Sequence, residues 1–434
     1  MTPISRQPSD ACGALPCGFN VFGYLTSNLG LGVAARTTAR MLVDAGHAVR
    51  LDDVDPGGGM QGRDVSFAKE IARTRDAGPF AVNLFHINPD QALYLLGPGS
   101  ERVRVADTLQ VCVPFWELPR VPASWIEPLH AMDIIMAPTR YVADAVRADI
   151  PDARIVPFPQ TVHLPEGIRP DRPAFDLAAD EVVFVMSFDM RSDMERKNPW
   201  VVVRAFSEAF PDRSDVRLII KVNNVDTLPG LERHVTRLRE TAADERITVI
   251  DRSMPYAEVL SLYASCDVLV SLHRAEGLGL SLLEGMALGL PVIGTAFSGN
   301  MDFMTEENSC LVGYDPVEVS SSTQPAYGRA ISGEQMWAEP RLSEAVRWMR
   351  ALADDPALRA RIGAHASETA QRTQAEHRSG RAFEPVLTAA QELVAGESTV
   401  AQQRMSRLAR RYPLNMGRRI VRAAWHRLKT RLGA

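Results

Sequence analysis

The sequence predicts an α/β protein built of two halves, each a parallel β-sheet covered by helices. Three observations predict it. Short β-branched runs alternate with helical stretches along most of the 434 residues, which is the rhythm of strand–helix–strand crossovers rather than of an antiparallel sandwich. Those runs fall into two sets of six. Between the sets lies PQTVHLPEGIRPDRPAF (159–175), a proline-rich stretch suited to an extended linker.

The first set reads FNVFGY (19–24), AVRL (48–51), AVNLFHI (81–87), LQVCVPF (109–115), DIIMAP (133–138) and ARIVPF (153–158). The second reads VVFVMSF (182–188), VRLIIKV (216–222), ITVI (247–250), DVLVSL (267–272), PVIGT (291–295) and CLVGY (310–314). Beyond residue 315 no strand is expected: a polar loop (320–335) leads through WAEP (337–340) into helical sequence.

Apolar residues at 46% and charged residues at 23% exclude a disordered or low-complexity chain. Cys12, Cys17, Cys112, Cys266 and Cys310 show no C-x-x-C pair and no zinc-like spacing, so a reducing, cytoplasmic location is expected. The first twenty residues lack a charged-then-apolar leader, and no apolar run approaches the ~18 residues that cross a bilayer. The net charge of −5 is asymmetric: residues 401–434 carry ten Arg or Lys and no Asp or Glu, leaving the remainder at −15. In that tail Ile420, Val421, Ala424, Trp425, Leu428 and Leu432 recur at helical spacing among arginines, which suits an anionic membrane surface and hence a peripheral location on the inner membrane face. A helix packed back on the N-terminal domain and a frayed basic tail are the competing readings. Nucleic acid is not an expected partner, because no aromatic platform accompanies the charge.

The first strand is followed by Gly30-Leu31-Gly32-Val33-Ala34-Ala35, which fits the dinucleotide fingerprint, with Asp52 twenty residues past Gly32. An NAD-dependent oxidoreductase is therefore one reading. However, the strand ends near Tyr24, which leaves residues 25–29 as a loop before the first motif glycine. The other reading is a glycine loop that lets an acceptor or phosphate approach a helix N-terminus.

The most specific stretch is HRAEGLGLSLLEGMALGLPVIGT (273–295), read as strand end, glycine loop, helix, break and strand. If Leu278 starts the helix, Glu284 sits nearly two turns in and Glu276 stays in the loop at the strand's carboxyl end. The amides of Leu278 to Ser281, with Gly277 before them and Gly279 among them, then form a first-turn cradle for a diphosphate. A carboxylate inside the helix can accept two ribose hydroxyls; one in the loop can face a sugar ring.

Together with NLGLGVAAR (28–36), AVNLFHINPDQ (81–91), PFWELPRVPASW (114–125), APTRYVADAV (137–146), ERKNP (195–199) and SGNMDFM (298–304), this block resembles the retaining, nucleotide-sugar-dependent glycosyltransferases of family 4. The likeness is closest to bacterial members that build lipopolysaccharide or exopolysaccharide. The resemblance implies the GT-B fold, two Rossmann-like domains with parallel sheets facing across a cleft. It implies an acceptor-side domain (1–165), a nucleotide-sugar donor domain (166–375), a helix (376–400) returning to the first domain, and the basic tail (401–434).

Carried over residue by residue, the resemblance makes Glu284 the ribose-binding glutamate and Glu276 the carboxylate that contacts the donor hexose. Arg196 and Lys197 become the basic pair that neutralises the leaving diphosphate. Ser187 and Phe188 stand where the family has glycine-arginine, so Arg191 competes with Arg196 for the arginine role. His86 and Asn88, ending the third strand, fall where the family places a histidine near the reacting sugar. Glu117, with Gly30 and Gly32, is assigned to the acceptor side, and Asp251 and Arg252 to the nucleotide base. Asp53-Val54-Asp55 spells a metal-binding D-x-D but falls after the second strand, and is read as a solvated loop. No metal and no cofactor are expected, because cations and helix amides can neutralise the diphosphate. The implied activity is retaining transfer of a hexose from a nucleoside-diphosphate sugar to a glycan or lipid-linked glycan hydroxyl. A non-catalytic sugar-nucleotide-binding scaffold is the third alternative.

Overall fold

A computed structural model describes residues 15–55, 64–96, 108–225, 230–319 and 335–395; the basic tail and Cys12 lie outside the described residues. Strands β1 (Phe19–Gly23), β2 (Val49–Asp53), β3 (Val82–His86), β4 (Leu109–Cys112), β5 (Ile134–Ala137) and β6 (Ile155–Pro157) form one sheet in the order β2-β1-β3-β4-β5-β6. The second sheet contains β7 (Val182–Asp189), β8 (Val216–Asn223), β9 (Ile247–Ile250), β10 (Val268–Ser271), β11 (Val292–Thr295) and β12 (Cys310–Val312), in the order β12-β11-β10-β7-β8-β9. Every pairing in both is parallel.

Helices α1 (Gly30–Asp44), α2 (Ala68–Thr74), α3 (Pro89–Leu96), α4 (Ala123–His130) and α5 (Arg140–Asp149) connect the first set of strands. Helices α6 (Met194–Lys197), α7 (Pro199–Ala209), α8 (Leu231–Thr241), α9 (Tyr256–Ala264) and α10 (Leu280–Ala287) connect the second. Runs such as VVFVMSF are apolar at consecutive positions because both faces of a parallel sheet are covered. Phe184, Met186 and Phe188 point to one layer with Phe206, while Val183 and Val185 point to the other with Leu260 and Leu262.

In the second sheet β8 and β9 lie on one side of β7, and β10 to β12 on the other. The direction of winding thus reverses between β7 and β10. The first sheet reverses between β1 and β3. The connections leave for opposite faces at such points, so a crevice opens beyond the carboxyl ends of the strands.

Past the second sheet, helix Pro356–Arg378 packs Ile362, Ala366 and Ala370 into the second domain. Helix Glu384–Val394 then places Val386, Ala389 and Ala390 in the core with Phe19, Val21 and Leu42 of the first.

One expectation is corrected. Strands do not stop at 315: β13 (Tyr314–Glu318) and β14 (Met336–Pro340) form an antiparallel pair, with Asp315 opposite Glu339 and Pro316 opposite Ala338. WAEP is therefore strand, not the lead into a helix. A two-stranded ribbon has only edge strands, where a proline's missing N–H is tolerated.

Candidate active site

Two connections of the second domain meet at its switch point. After β7 the chain turns, and the Asp193 carboxylate accepts from the Arg196 amide at 3.1 Å to cap the single-turn helix α6. Asn198, in the left-handed region at φ 53°, ends α6, and Pro199 opens α7. This turn places Arg196 and Lys197 beside the loop that follows β10. There the Lys197 ammonium contacts Glu276 Oε1, and Arg196 Nη1 lies 3.2 Å from the same oxygen. Arg196 Nη1 also donates to the Ala275 carbonyl at 2.8 Å, and Nη2 reaches Glu117 Oε1 of the first domain at 3.5 Å.

The glycine loop is shaped by close approach. A Cβ on Gly277 would lie 2.8 Å from the Trp116 carbonyl oxygen, and one on Gly299 would lie 2.2 Å from the Gly277 oxygen. Gly279 sits at φ 88°, so helix α10 begins at Leu280 rather than at the expected Leu278. Glu284 is consequently a little over one turn in. Leu280 and Ser281 open the helix, while Leu278 belongs to the loop.

The two glutamates sit in opposite electrostatic settings. Burial raises the Glu276 carboxyl, but Lys197 and Arg196 outweigh it and bring its pKa down to about 2. Burial dominates at Glu284 and lifts it to about 7, although the Tyr256 hydroxyl donates to it at 2.9 Å. Burial also lowers the Lys197 pKa, opposed by Glu276.

A cavity of about 480 Å³ brings most of the expected residues together: Gly30, Asn88 and Glu117 from the first domain, with Arg191, Arg196, Lys197, Glu276 to Ser281 and Glu284 from the second. The first turns of α1 and α10 both line it, and a Cβ on Gly30 would lie 3.7 Å from a Leu280 methyl. The domains are joined beside it. Thr139 Oγ1 donates to the Gly277 carbonyl at 2.8 Å, and the Arg140 amide donates to Asp302 at 2.8 Å.

Five expected site or loop residues sit elsewhere. His86 is fully buried beneath the cleft, its ring 5.5 Å from that of Phe115, and burial lowers its pKa to about 3; it does not line the cavity. Asp251 pairs with Arg239 at 2.7 Å, and Arg252 pairs with Glu258; neither lines the cavity, where Met254 and Tyr256 stand instead. Gly32 is a packing glycine whose Cβ would meet the Ser27 oxygen at 2.3 Å. Asp53 is not a solvated loop residue, since it accepts from the Thr26 amide at 3.0 Å and the Thr26 hydroxyl at 2.6 Å, fastening the β1–α1 loop. Among the described residues no group of three His, Cys, Asp or Glu is placed to hold a metal. The dinucleotide turn is not assembled either: six residues separate β1 from α1, and Asp52 is paired with Arg50 at 2.9 Å.

Several participants escape sequence reasoning. Tyr256 is recognisable only once α9 is packed on α10. His273, buried between Ser271 Oγ at 3.1 Å and Asn300 Oδ1 at 3.0 Å, ties HRAEG to SGNMDFM. Arg36 lines the cavity while bonded to the Leu25 and Ser27 carbonyls and paired with Asp64 at 2.9 Å.

Residues 180–324 match the family model described as glycosyl transferases group 1. D-inositol 3-phosphate glycosyltransferase of Corynebacterium diphtheriae is 29% identical over 126 residues, 28% of this chain and 29% of that protein, so the match spans less than a third of the relative. Sucrose-phosphate synthase of Thermosynechococcus elongatus superposes with a TM-score of 0.60 at 14% identity, covering 86% of this chain and 100% of that one. HepE of Anabaena, solved with UDP and glucose, superposes at 0.56 and 13% identity, covering 85% and 99%. The chain thus has the GT-B fold, and its residues 180–324 are similar to the glycosyl transferases group 1 family.

Proposed function

We propose that this chain transfers a hexose from a nucleoside-diphosphate sugar to a hydroxyl of a glycan or lipid-linked glycan acceptor, with retention, in cell-surface polysaccharide synthesis. The observation that carries this reading is the shared cavity, in which Lys197 and Arg196 meet Glu276 at the head of α10 while Glu284 lies one turn deeper. Glu276 and Glu117 balance the two cations. An arriving diphosphate competes for those cations, with the Leu280 and Ser281 amides and the helix dipole adding to its hold. Glu276, ionised by its surroundings, then turns to the sugar hydroxyls. Glu284 takes the ribose. The acceptor hydroxyl attacks from the face of the departing phosphate and passes its proton to the phosphate oxygen, so charge stabilisation and placement supply the catalysis. Cations and amides serve where other transferases use a divalent ion. Residues 401–434 hold the enzyme at an anionic membrane surface from the cytoplasmic side.

The test is a turnover and thermal-shift panel of UDP-, GDP- and ADP-sugars, with NAD as control, run in excess chelator on full-length and 1–400 protein, with vesicle flotation alongside. A thermal shift with a sugar nucleotide, nucleotide release and flotation of the full chain alone support the reading. Binding without release marks a scaffold, and an NAD shift marks an oxidoreductase.

A further inference from the structure

We infer that Arg274 is a positioning residue, a brace that sets the turn bearing Arg196 and Lys197 at its working distance from Glu276, with the β13–β14 hairpin as the abutment. This rests on the glycosyl-transfer reading above. Helix α6 is a single turn of four residues, too short to hold its own shape. Arg274 holds it from the side. Its amide donates to the Arg196 carbonyl at 2.7 Å, and its Nη1 donates to the Glu195 carbonyl at 2.9 Å and meets the Glu195 carboxylate at 3.2 Å. Nε pairs with Glu339 of β14 at 2.6 Å, and the Arg274 carbonyl accepts from the Ala338 amide at 3.0 Å. The guanidinium also lies 5.7 Å from the centre of the Trp337 ring.

The grip is reciprocal. Arg196 holds the backbone one residue after Arg274, and Arg274 holds the backbone one residue before Arg196. Two segments almost eighty residues apart are thereby locked in register within two residues of Glu276. A planar fork with several donors can bind acceptors on the turn and the hairpin at once, which a lysine cannot. Glu195 also meets Arg237 at 3.8 Å and Glu339 accepts from Asn198 at 3.5 Å, so both acids stay near the turn when Arg274 is replaced. Arg274 does not line the cavity, so it acts through Arg196 and Lys197 rather than on substrate.

The experiment compares full-length wild type with Arg274→Met, Arg274→Lys and Glu339→Gln. It measures kcat and KM for the sugar nucleotide, melting temperature, and calorimetric affinity for UDP and UMP, or GDP and GMP where guanine is the base bound. The distal phosphate needs the turn; the nucleoside does not. For Arg274→Met the preference for diphosphate over monophosphate falls about tenfold and kcat at least about tenfold, while monophosphate affinity stays within about twofold. Arg274→Lys restores part of both, and Glu339→Gln shifts both in the same direction by less. An unchanged preference and kcat overturns the inference. So does equal weakening of both nucleotides with a lowered melting temperature, because that marks a brace of the fold alone. A wild type that binds neither diphosphate defeats the glycosyl-transfer reading instead.

Discussion

At the carboxyl ends of β1 and β3 the first domain offers a glycine-opened helix, Asn88 and a buried, neutral His86, whereas the ends of β7 and β10 in the second gather Arg196, Lys197, Glu276 and Glu284. Both are switch points of parallel sheets, so topology explains why each forms a crevice. It does not explain the chemistry. The difference follows from the connections: β7 leads into a capped turn rich in cations, while β1 leads into an uncharged loop (24–29) that Arg36 of α1 and Asp53 of β2 are spent on fastening. The second domain therefore carries the charge chemistry, and the first contributes shape and Glu117.

The widest break in this contrast should come from Lys197→Ala, which removes the cation proposed to face the leaving group. The expected loss in kcat is about 10²–10³-fold, measured by steady-state turnover. A loss under about threefold would place the charge stabilisation elsewhere.

Next come the two glutamates. Glu284→Ala should weaken nucleoside diphosphate and sugar nucleotide alike, by roughly ten- to a hundred-fold for a lost charged hydrogen bond. Glu276→Ala should leave diphosphate affinity intact or tightened, because it frees Lys197 and Arg196, and should lower kcat instead. Calorimetry with turnover on both variants separates them.

A smaller effect is expected from pH. In the proposed function Glu284 takes the ribose, whose donating hydroxyls need its carboxylate, and its pKa of about 7 means that affinity should strengthen between roughly pH 6 and pH 8. The stability sign is opposite: the folded pKa lies above an unfolded value near 4.3, so this group's contribution is full below about pH 4 and lost as pH rises through about 7. Glu284→Gln should flatten both slopes, checked by calorimetry and melting across the range.

The smallest effect belongs to the first domain. His86→Leu should change kcat by less than about threefold, since the ring is buried and neutral and does not line the cavity. A hundredfold loss with the fold intact would return His86 to the chemistry.

The inner strands of the two sheets are legible because burial on both faces writes them as consecutive apolar residues, and the partly exposed edge strands β2, β6 and β9 are legible as short β-branched runs between turn signals. The hairpin is not: TyrAspProValGlu (314–318) carries two acids and a proline, and its pairing with WAEP depends on a partner across a long polar loop. Glu276, Lys197 and Glu284 were legible because glycine, strand and helix signals surround them. Gly279 reads from sequence as a first-turn residue, because glycine permits a left-handed φ without requiring it, so residue type alone does not say which glycine precedes the helix. His86, between Phe85 and Ile87, looks the same whether it faces a cleft or a core. Asp251 and Arg252 were misplaced because what holds them, Arg239 and Glu258, is decided by packing. Arg274 and Glu339 are 65 residues apart, and neither announces the other.

The Thr139 hydroxyl bonds the carbonyl of Gly277, and Gly277 itself fits against Trp116 only because it has no side chain. The segment between the two glutamates is therefore also a seam between the domains. Any shift of one domain against the other would have to break the Thr139–Gly277 bond, and with it disturb the loop that carries Glu276, so the setting of that carboxylate is coupled to the fit between the domains.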